Sequence, residues 1–314
     1  MAAWAEIAGH LQAFGVADCH VRSREIIAFT AQKWTVDDAL EPRDTLLVFY
    51  YPHDPADEQW AVRELDQMTG IHGCACFQPQ ERSVFVADPG EVYVVGQGDD
   101  DYEKSIAASG VQQFNAVKCI AGGYAYAVGI GRKVYQRTAA SQWTLLTDAT
   151  LTGTLPGDLD HAGFQDIDGF ADNDLYACGG LGDLWHYDGK RWTREDIPTN
   201  APLGKILCAP DGKVYITTGQ RQLLIGRRGA WQVHKADIGK EMLAEIVGFD
   251  GRVWVSTDQA IYEVRGKDVV PAALGQPKMS LCTHLAGGDG VLVVAGAHEA
   301  YLYDGSAWKT IFRF

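Results

Sequence analysis

The feature that most constrains this chain is a segment that occurs twice. LWHYDGKRWT at 184–193 returns as YLYDGSAWKT at 301–310. In each, a short apolar run ends in Tyr, an Asp-Gly pair follows, and a Trp closes the motif. An Asp-Gly pair between such runs predicts a two-residue type I′ hairpin, because that turn needs positive φ at both central residues. Aligning the chain with itself extends the match to units of about forty residues. The clearest are KILCAPDGKVYITTGQRQLLIGRRGAWQVHK (205–235), EIVGFDGRVWVSTDQAIYEVRGKDVVP (245–271) and HLAGGDGVLVVAGAHEAYLYDGSAWKTI (284–311). Their turn pairs Asp211-Gly212, Asp250-Gly251 and Asp289-Gly290 are spaced 39 residues apart, as are Trp192 and Trp231. Residues 118–146 and 169–196 fit the same pattern, with extra residues at 149–163, and so does CACFQPQERSVFVADPGEVYVVGQG (74–98).

Each unit reads as four short strands, the second ending in a small residue. Four strands cannot bury both faces of their sheet alone, whereas a ring of such sheets can. The expected fold is therefore an all-β propeller of six or seven four-stranded blades, seven favoured; a linear solenoid, the rival, would want capping repeats. The N-terminal third is less regular. REIIAFTAQKWTVDD (24–38) matches the outer half of a unit, with Phe29 near the place of Tyr187 and Trp34 near that of Trp192. An apolar strand covers 44–51. A helical insertion is expected near 54–70, with Asp54 as N-cap, Pro55 in the first turn, Trp60, Leu65 and Met68 apolar, and Gly70 at the end. Residues 2–14 predict an N-terminal helix with Trp4, Ile7, Leu11 and Phe14 on one stripe. The expected division is an N-terminal segment, 1–72 (helix, first blade and helical insertion, or a small α+β domain), and propeller blades over 73–314.

GRVWVSTDQAIYEV (251–264) resembles the repeat of two-component-regulator propellers, in which a Trp-bearing strand precedes a Leu/Ile-Tyr strand. GGLGDLWHYDGKRW (179–192) is similar to a kelch repeat, with paired Gly, then Tyr, then Trp. No unit carries the Trp-Asp pair of WD repeats. The resemblance spans about 74–312 and implies a fold, not a function.

Charge narrows the function. The net charge is −14, and residues 1–110 hold 7 Lys+Arg against 19 Asp+Glu, leaving 20 against 22 for 111–314. Direct nucleic-acid binding needs a basic footprint, which this balance opposes. A basic protein partner fits better, although excess charge also serves solubility. The chain has no run of 18 apolar residues and no basic start followed by an apolar core, so no membrane span or secretory signal is expected. The seven scattered cysteines suit free thiols in a reducing cytoplasm.

Trp143, Trp192, Trp231 and Trp308 recur at one repeat position and read as packing residues. His72, Cys74 and Cys76 offer soft ligands, but without a second Cys pair at zinc-finger spacing they read as strand residues with both thiols on one buried face. Asp158, Asp160, Asp166 and Asp168, in the insertion 152–168, could offer oxygens to calcium, though not at EF-hand spacing. Otherwise no cofactor is expected. Asp99, Asp100, Asp101 and Glu103 predict an acidic outer loop; with Asp54, Asp57, Glu58, Glu64 and Asp66 of the helical insertion they form the candidate partner-binding set. No hydrolase elbow, phosphate loop, dinucleotide fingerprint or His-Glu-x-x-His occurs, so no catalytic residues are assigned. His161, His284 and His298 could still meet at a propeller mouth.

Two readings follow. The first is a non-enzymatic protein-binding propeller: an acidic immunity or antitoxin-like protein that neutralises a basic, nuclease-type toxin. In charge and isolation the chain is similar to stand-alone immunity proteins of bacterial toxin systems. The second is a propeller enzyme, a hydrolase or lyase with its site in the central channel, with or without calcium. A small-ligand sensor is a third use of the fold.

Overall fold

The computed structural model describes residues 4–33, 43–106, 113–147, 151 and 163–314. It is an all-β propeller with antiparallel sheets and a single N-terminal helix, α1 (Trp4–Leu11), among the described residues. Strands β1 (Phe14–Ser23), β2 (Ile26–Lys33), β3 (Arg43–Tyr50), β4 (Trp60–Cys76), β5 (Arg82–Asp88), β6 (Glu91–Gly96) and β7 (Asp99–Glu103) form one seven-stranded sheet. Five four-stranded sheets follow. The first holds β8 (Phe114–Cys119), β9 (Ala125–Gly129), β10 (Val134–Ala139) and β11 (Gln142–Leu145). The second holds β12 (Asp166–Ala171), β13 (Asp174–Gly179), β14 (Asp183–Tyr187) and β15 (Trp192–Arg194). The third holds β16 (Leu203–Cys208), β17 (Val214–Thr218), β18 (Gln222–Arg227) and β19 (Ala230–Lys235). The fourth holds β20 (Ile246–Phe249), β21 (Arg252–Ser256), β22 (Ile261–Arg265) and β23 (Asp268–Pro271). The last holds β24 (His284–Gly288), β25 (Val291–Gly296), β26 (Glu299–Tyr303) and β27 (Trp308–Arg313).

The expectation of six or seven separate four-stranded blades is corrected: five sheets are separate blades, and the N-terminal third is continuous. The cause is β4. It runs 17 residues without a break, pairs with β3 up to Met68, and pairs with β5 from Thr69 onward. The helical insertion near 54–70 is also corrected. Residues 51–59 form the loop between β3 and β4, closed by the Tyr51 N–H to Gln59 carbonyl bond at 2.9 Å, and 60–70 are strand. Trp60, Leu65 and Met68 do face the core, but as sheet residues opposite Tyr50, Thr45 and Arg43. Local helix signals lose here because both edges of β4 find strand partners. Gln67 and Gly70, at φ of 56° and 54°, mark the bend where β4 changes partner.

The repeat has three physical causes. First, the second strands β9, β13, β17 and β25 are buried end to end, since neighbouring sheets cover both faces. Second, three of these strands end in glycine where the chain entering the same sheet passes closely. A Cβ on Gly129 would lie 1.8 Å from the Gln113 carbonyl oxygen, and one on Gly179 would lie 2.1 Å from that of Gly163. Third, the outer-strand tryptophans hold the ring together. Trp192 Nε1 donates to the Leu146 carbonyl at 3.1 Å, Trp231 to Glu195 at 2.7 Å and Trp308 to the Leu274 carbonyl at 2.9 Å. Each acceptor lies just past the outer strand of the preceding sheet.

The turns divide into two kinds. Asp250-Gly251 and Asp289-Gly290 have positive φ at both residues and join directly paired strands, as a type I′ turn requires. At Asp188-Gly189 and Asp304-Gly305 only the glycine is positive, so the type I′ expectation is corrected there. Those loops span four residues between the pairs Tyr187–Trp192 and Tyr303–Trp308. The Asp carboxylate accepts the N–H groups two and three residues on, at 2.8–2.9 Å. The Tyr and Trp rings then meet with centroids 5.1 Å apart in both.

The ring closes between its ends by packing. The Val16 N–H donates to the Ala297 carbonyl at 2.9 Å, and β1 packs on β24 and β25. Trp4 of α1 stacks on Phe312 at 5.8 Å and meets Trp60 at 5.0 Å. The last strand, β27, pairs with β26.

Candidate functional site

The first strands of successive sheets, with β4 for the second half of the seven-stranded sheet, surround a central cavity of about 690 Å³. Apolar and polar side chains share its wall, and the polar groups tie neighbouring strands together. Asp18 on β1 accepts the Gly73 N–H of β4 at 3.0 Å. Lys118 on β8 meets Asp166 on β12 at 2.9 Å and reaches the Ile206 carbonyl of β16 at 2.6 Å. Asp166 accepts the Ile206 N–H at 2.9 Å, and Asp168 accepts that of Cys208 at 2.7 Å. Lys205 on β16 meets Glu245 at 3.0 Å.

Burial works to lower the Lys118 ammonium, but Asp166 and Asp168 outweigh it and hold its pKa above the ordinary value. Glu245 holds the Lys205 ammonium up against the same burial. Burial lowers His72 and His284, whose rings have the Phe114 and Val16 backbones as partners. The carboxylates Asp18, Asp166, Asp168 and Glu245 thus all hold adjacent strands together, through amides or an ion pair. Among the described residues no group of three His, Cys, Asp or Glu side chains is placed to hold a metal.

The calcium candidates do not come together as a site in what is described. Asp158 and Asp160 lie outside the described residues, and Asp166 and Asp168 are engaged as above. The histidine trio is not assembled either. His161 lies outside the described residues, His284 faces the channel, and His298 sits against Phe314 at 5.3 Å between ring centroids. Trp34 also lies outside the described residues. Cys74 and Cys76 are buried free thiols in the core with Val84 and Val86. Burial raises the Cys74 thiol well above its usual value, which disfavours its thiolate form.

The partner-binding candidates fall on one loop and two strands. Asp54, Asp57 and Glu58 occupy the β3–β4 loop, with Asp57 and Glu58 exposed. Glu64 and Asp66 are exposed on β4, and Glu64 lies 3.6 Å from His10. Asp99, Asp100, Asp101 and Glu103 form not a loop but the edge strand β7. Two of them have structural tasks. Asp100 accepts from Arg63 Nε at 2.5 Å, tying β7 to β4. Glu103 accepts from Arg137 Nε at 3.0 Å and Nη2 at 2.5 Å, where Arg137 is fully buried. Asp101 is exposed.

The sequence reading missed the aromatic part of this edge. Tyr93 and Tyr102 are directly opposite in β6 and β7, with ring centroids 4.9 Å apart, and Tyr102 is 51% exposed. Burial first, then Glu91, Tyr93 and Asp66, raise the Tyr102 phenol pKa. The signal was available: reading 91–103 as a hairpin pairs Tyr93 with Tyr102.

No protein-family model matches the chain. It is similar to the immune protein Tsi7 of Pseudomonas aeruginosa, 34% identical over 261 residues that cover 81% of this chain and 82% of that protein. Among solved structures it is similar to a catalytically inactive virginiamycin B lyase from Staphylococcus aureus with quinupristin. The TM-score is 0.69 at 10% identity, over 91% of this chain and 92% of that one. The WD40 propeller domain of Doa1 gives 0.63 at 10% identity, over 90% of each chain. At that identity the two structures speak for the fold alone.

Proposed function

The chain belongs to the family of the immune protein Tsi7, and from that premise we propose that it is an immunity protein that binds and neutralises a protein toxin. The observation that carries this is the 34% identity spread over four-fifths of both chains. The toxin is basic and of the nuclease type, and it docks on the acidic edge formed by β4, β6 and β7. Glu64, Asp66, Glu91 and Asp101 are the exposed carboxylates there, with Tyr102 as the exposed aromatic anchor. Asp54, Asp57 and Glu58 extend the same charge along the β3–β4 loop, and Asp99 lies at the start of β7. The support is the charge balance: residues 1–110 carry 19 of the 41 acidic groups but only 7 of the 27 basic ones. A carboxylate array opposite a phosphate-binding surface steers a nuclease onto its inhibitor, mainly through the association rate.

The test is capture of partners by the tagged chain at low and high salt, followed by expression of each captured protein alone and with the chain. A protein that is toxic alone and harmless with the chain is the expected result. If nothing captured is toxic, the immunity reading fails. If a toxin is captured equally by the Glu64→Gln/Asp66→Asn/Glu91→Gln/Asp101→Asn variant, the function stands and the surface is elsewhere.

A further inference from the structure

The central channel is not evenly charged. Five carboxylates and three cations line it. Each cation has its own carboxylate: Lys118 has Asp166 at 2.9 Å, Lys205 has Glu245 at 3.0 Å, and Arg22 has Glu81 at 3.0 Å. Two carboxylates remain. Asp289 is exposed at the β24–β25 turn, where water and salt screen it. Asp18 is half-buried on β1, and among the described residues no Lys or Arg is in ion-pair contact with it. Lys205 acts on Asp18 from a distance, while Glu245 takes that ammonium in contact.

The surroundings of Asp18 add acceptors and no balancing charge. Its oxygens take one amide each, Oδ1 that of Cys19 at 2.8 Å and Oδ2 that of Gly73 at 3.0 Å. A carboxylate has about four lone-pair sites, so both oxygens keep capacity. Three histidines line the same cavity: His20 on β1, His72 on β4 and His284 on β24. Burial lowers the pKa of all three by more than the Asp18 charge raises it, so near neutral pH the rings are uncharged. A neutral imidazole has one donor and one acceptor nitrogen. His20 is engaged with Ser83 at 2.9 Å. His72 and His284 spend their donors on the backbone carbonyls of Phe114 and Val16. Their second nitrogens are acceptors without a partner among the described residues, and both rings are partly exposed in the channel.

We propose that this side of the channel, formed by the neighbouring strands β24, β1 and β4, binds a small organic cation whose ammonium or guanidinium group donates to the Asp18 carboxylate and to the open nitrogens of His72 and His284. Among the described residues no three such side chains converge on one metal position. An organic cation instead carries several N–H donors that point in different directions, and it can meet acceptors that are spread apart. A cavity of about 690 Å³ has the size of a small-molecule pocket, and the apolar part of its wall suits a carbon chain. Away from bulk water the charged contact is stronger than the same contact at the surface. The site does not depend on the immunity reading, and its test needs no toxin.

The experiment is titration calorimetry of the full chain with putrescine and with agmatine, at about 150 mM salt so that diffuse attraction to an acidic protein is screened. Uncharged butanediol, of the same length as putrescine, is the control probe. Wild type is compared with Asp18→Asn, with His72→Phe/His284→Phe, and with Asp237→Asn, an exposed acid outside the channel, as control. Circular dichroism verifies that each variant is folded. Saturable binding is expected, weakened about tenfold or more by Asp18→Asn through loss of the charged contact and unchanged by Asp237→Asn. Asp18 also holds two amides, so its variant should lose some stability. The histidine variant leaves those amides in place and should weaken binding severalfold. Tighter putrescine binding points to an ammonium ligand, and tighter agmatine binding to a guanidinium. If neither cation binds, if butanediol binds as well as putrescine, or if a folded Asp18→Asn or histidine variant binds as wild type does, the assignment is overturned.

Discussion

Arg132 and Asp183 meet fork to fork, Nε to Oδ2 at 2.6 Å and Nη2 to Oδ1 at 2.9 Å, with both side chains buried. The pair ties the β9–β10 turn of one blade to β14 of the next. Arg132 also donates to the Leu151 carbonyl at 3.0 Å, and Trp185 Nε1 donates to Asp183 at 2.9 Å. Asp183→Ala takes the paired carboxylate away from a buried guanidinium, which costs about 3–5 kcal/mol. Urea denaturation of wild type and variant measures this. A loss under about 1 kcal/mol, the range of an exposed pair, would mean that water reaches Arg132.

The tryptophan contacts between sheets separate into packing and hydrogen bonding. Trp192→Phe keeps most of the ring and leaves the Leu146 carbonyl without its indole donor, which costs about 1 kcal/mol. Trp192→Ala also removes a side chain only 1% exposed, which costs about 3–5 kcal/mol. Thermal melts of both variants check the order. Equal losses would show that the hydrogen bond carries the contact.

His20 gives the ring a dependence on acid. Burial pushes its pKa down to about 4, with Asp18 opposing and Arg22 assisting, and its Nε2 lies 2.9 Å from Ser83 Oγ. In the unfolded chain the imidazole titrates near about 6.5. Between those values the unfolded state binds the extra proton, so stability falls as pH drops from about 6.5 to 4, by about 3 kcal/mol in total. Asp88, raised to about 6 by burial, acts in the opposite sense over part of that window. Comparing wild type with His20→Gln at each pH cancels Asp88. Wild type should lose stability relative to the variant on acidification, and a constant difference from pH 7 to 4 would contradict the assignment.

The acidic edge predicts kinetics more than equilibrium. With the captured toxin in hand, neutralising Asp66, Glu91 and Asp101 should slow association by about tenfold at low salt and change dissociation little. Tyr102→Ala should instead speed dissociation. Surface plasmon resonance over a salt series reads both. An association rate insensitive to salt and to the three neutral substitutions would remove the edge from the interface.

Much of the chain was legible from its residues. The spacing of Asp-Gly pairs and tryptophans marked the four-stranded repeat but overcounted its separate blades, and the small residue ending each second strand anticipated Gly129 and Gly179. The candidate acidic set was legible as composition only. Local sequence could not reveal that Asp100 and Glu103 answer Arg63 and Arg137, which lie 37 and 34 residues away and on other strands.

Sequence by itself determined the repeat, its four-strand unit and the placing of acidity in the first third, because these depend on local periodicity and counting. Tertiary structure decided the rest. Residues 54–70 carry adequate helix signals, yet β3 and β5 offered β4 two edges to pair with, and backbone hydrogen bonding across them outweighed local preference. The same ring turned Asp166 and Asp168 from possible metal ligands into acceptors for the amides of the next blade. A buried amide must find a partner, and the ring places those two carboxylates within reach.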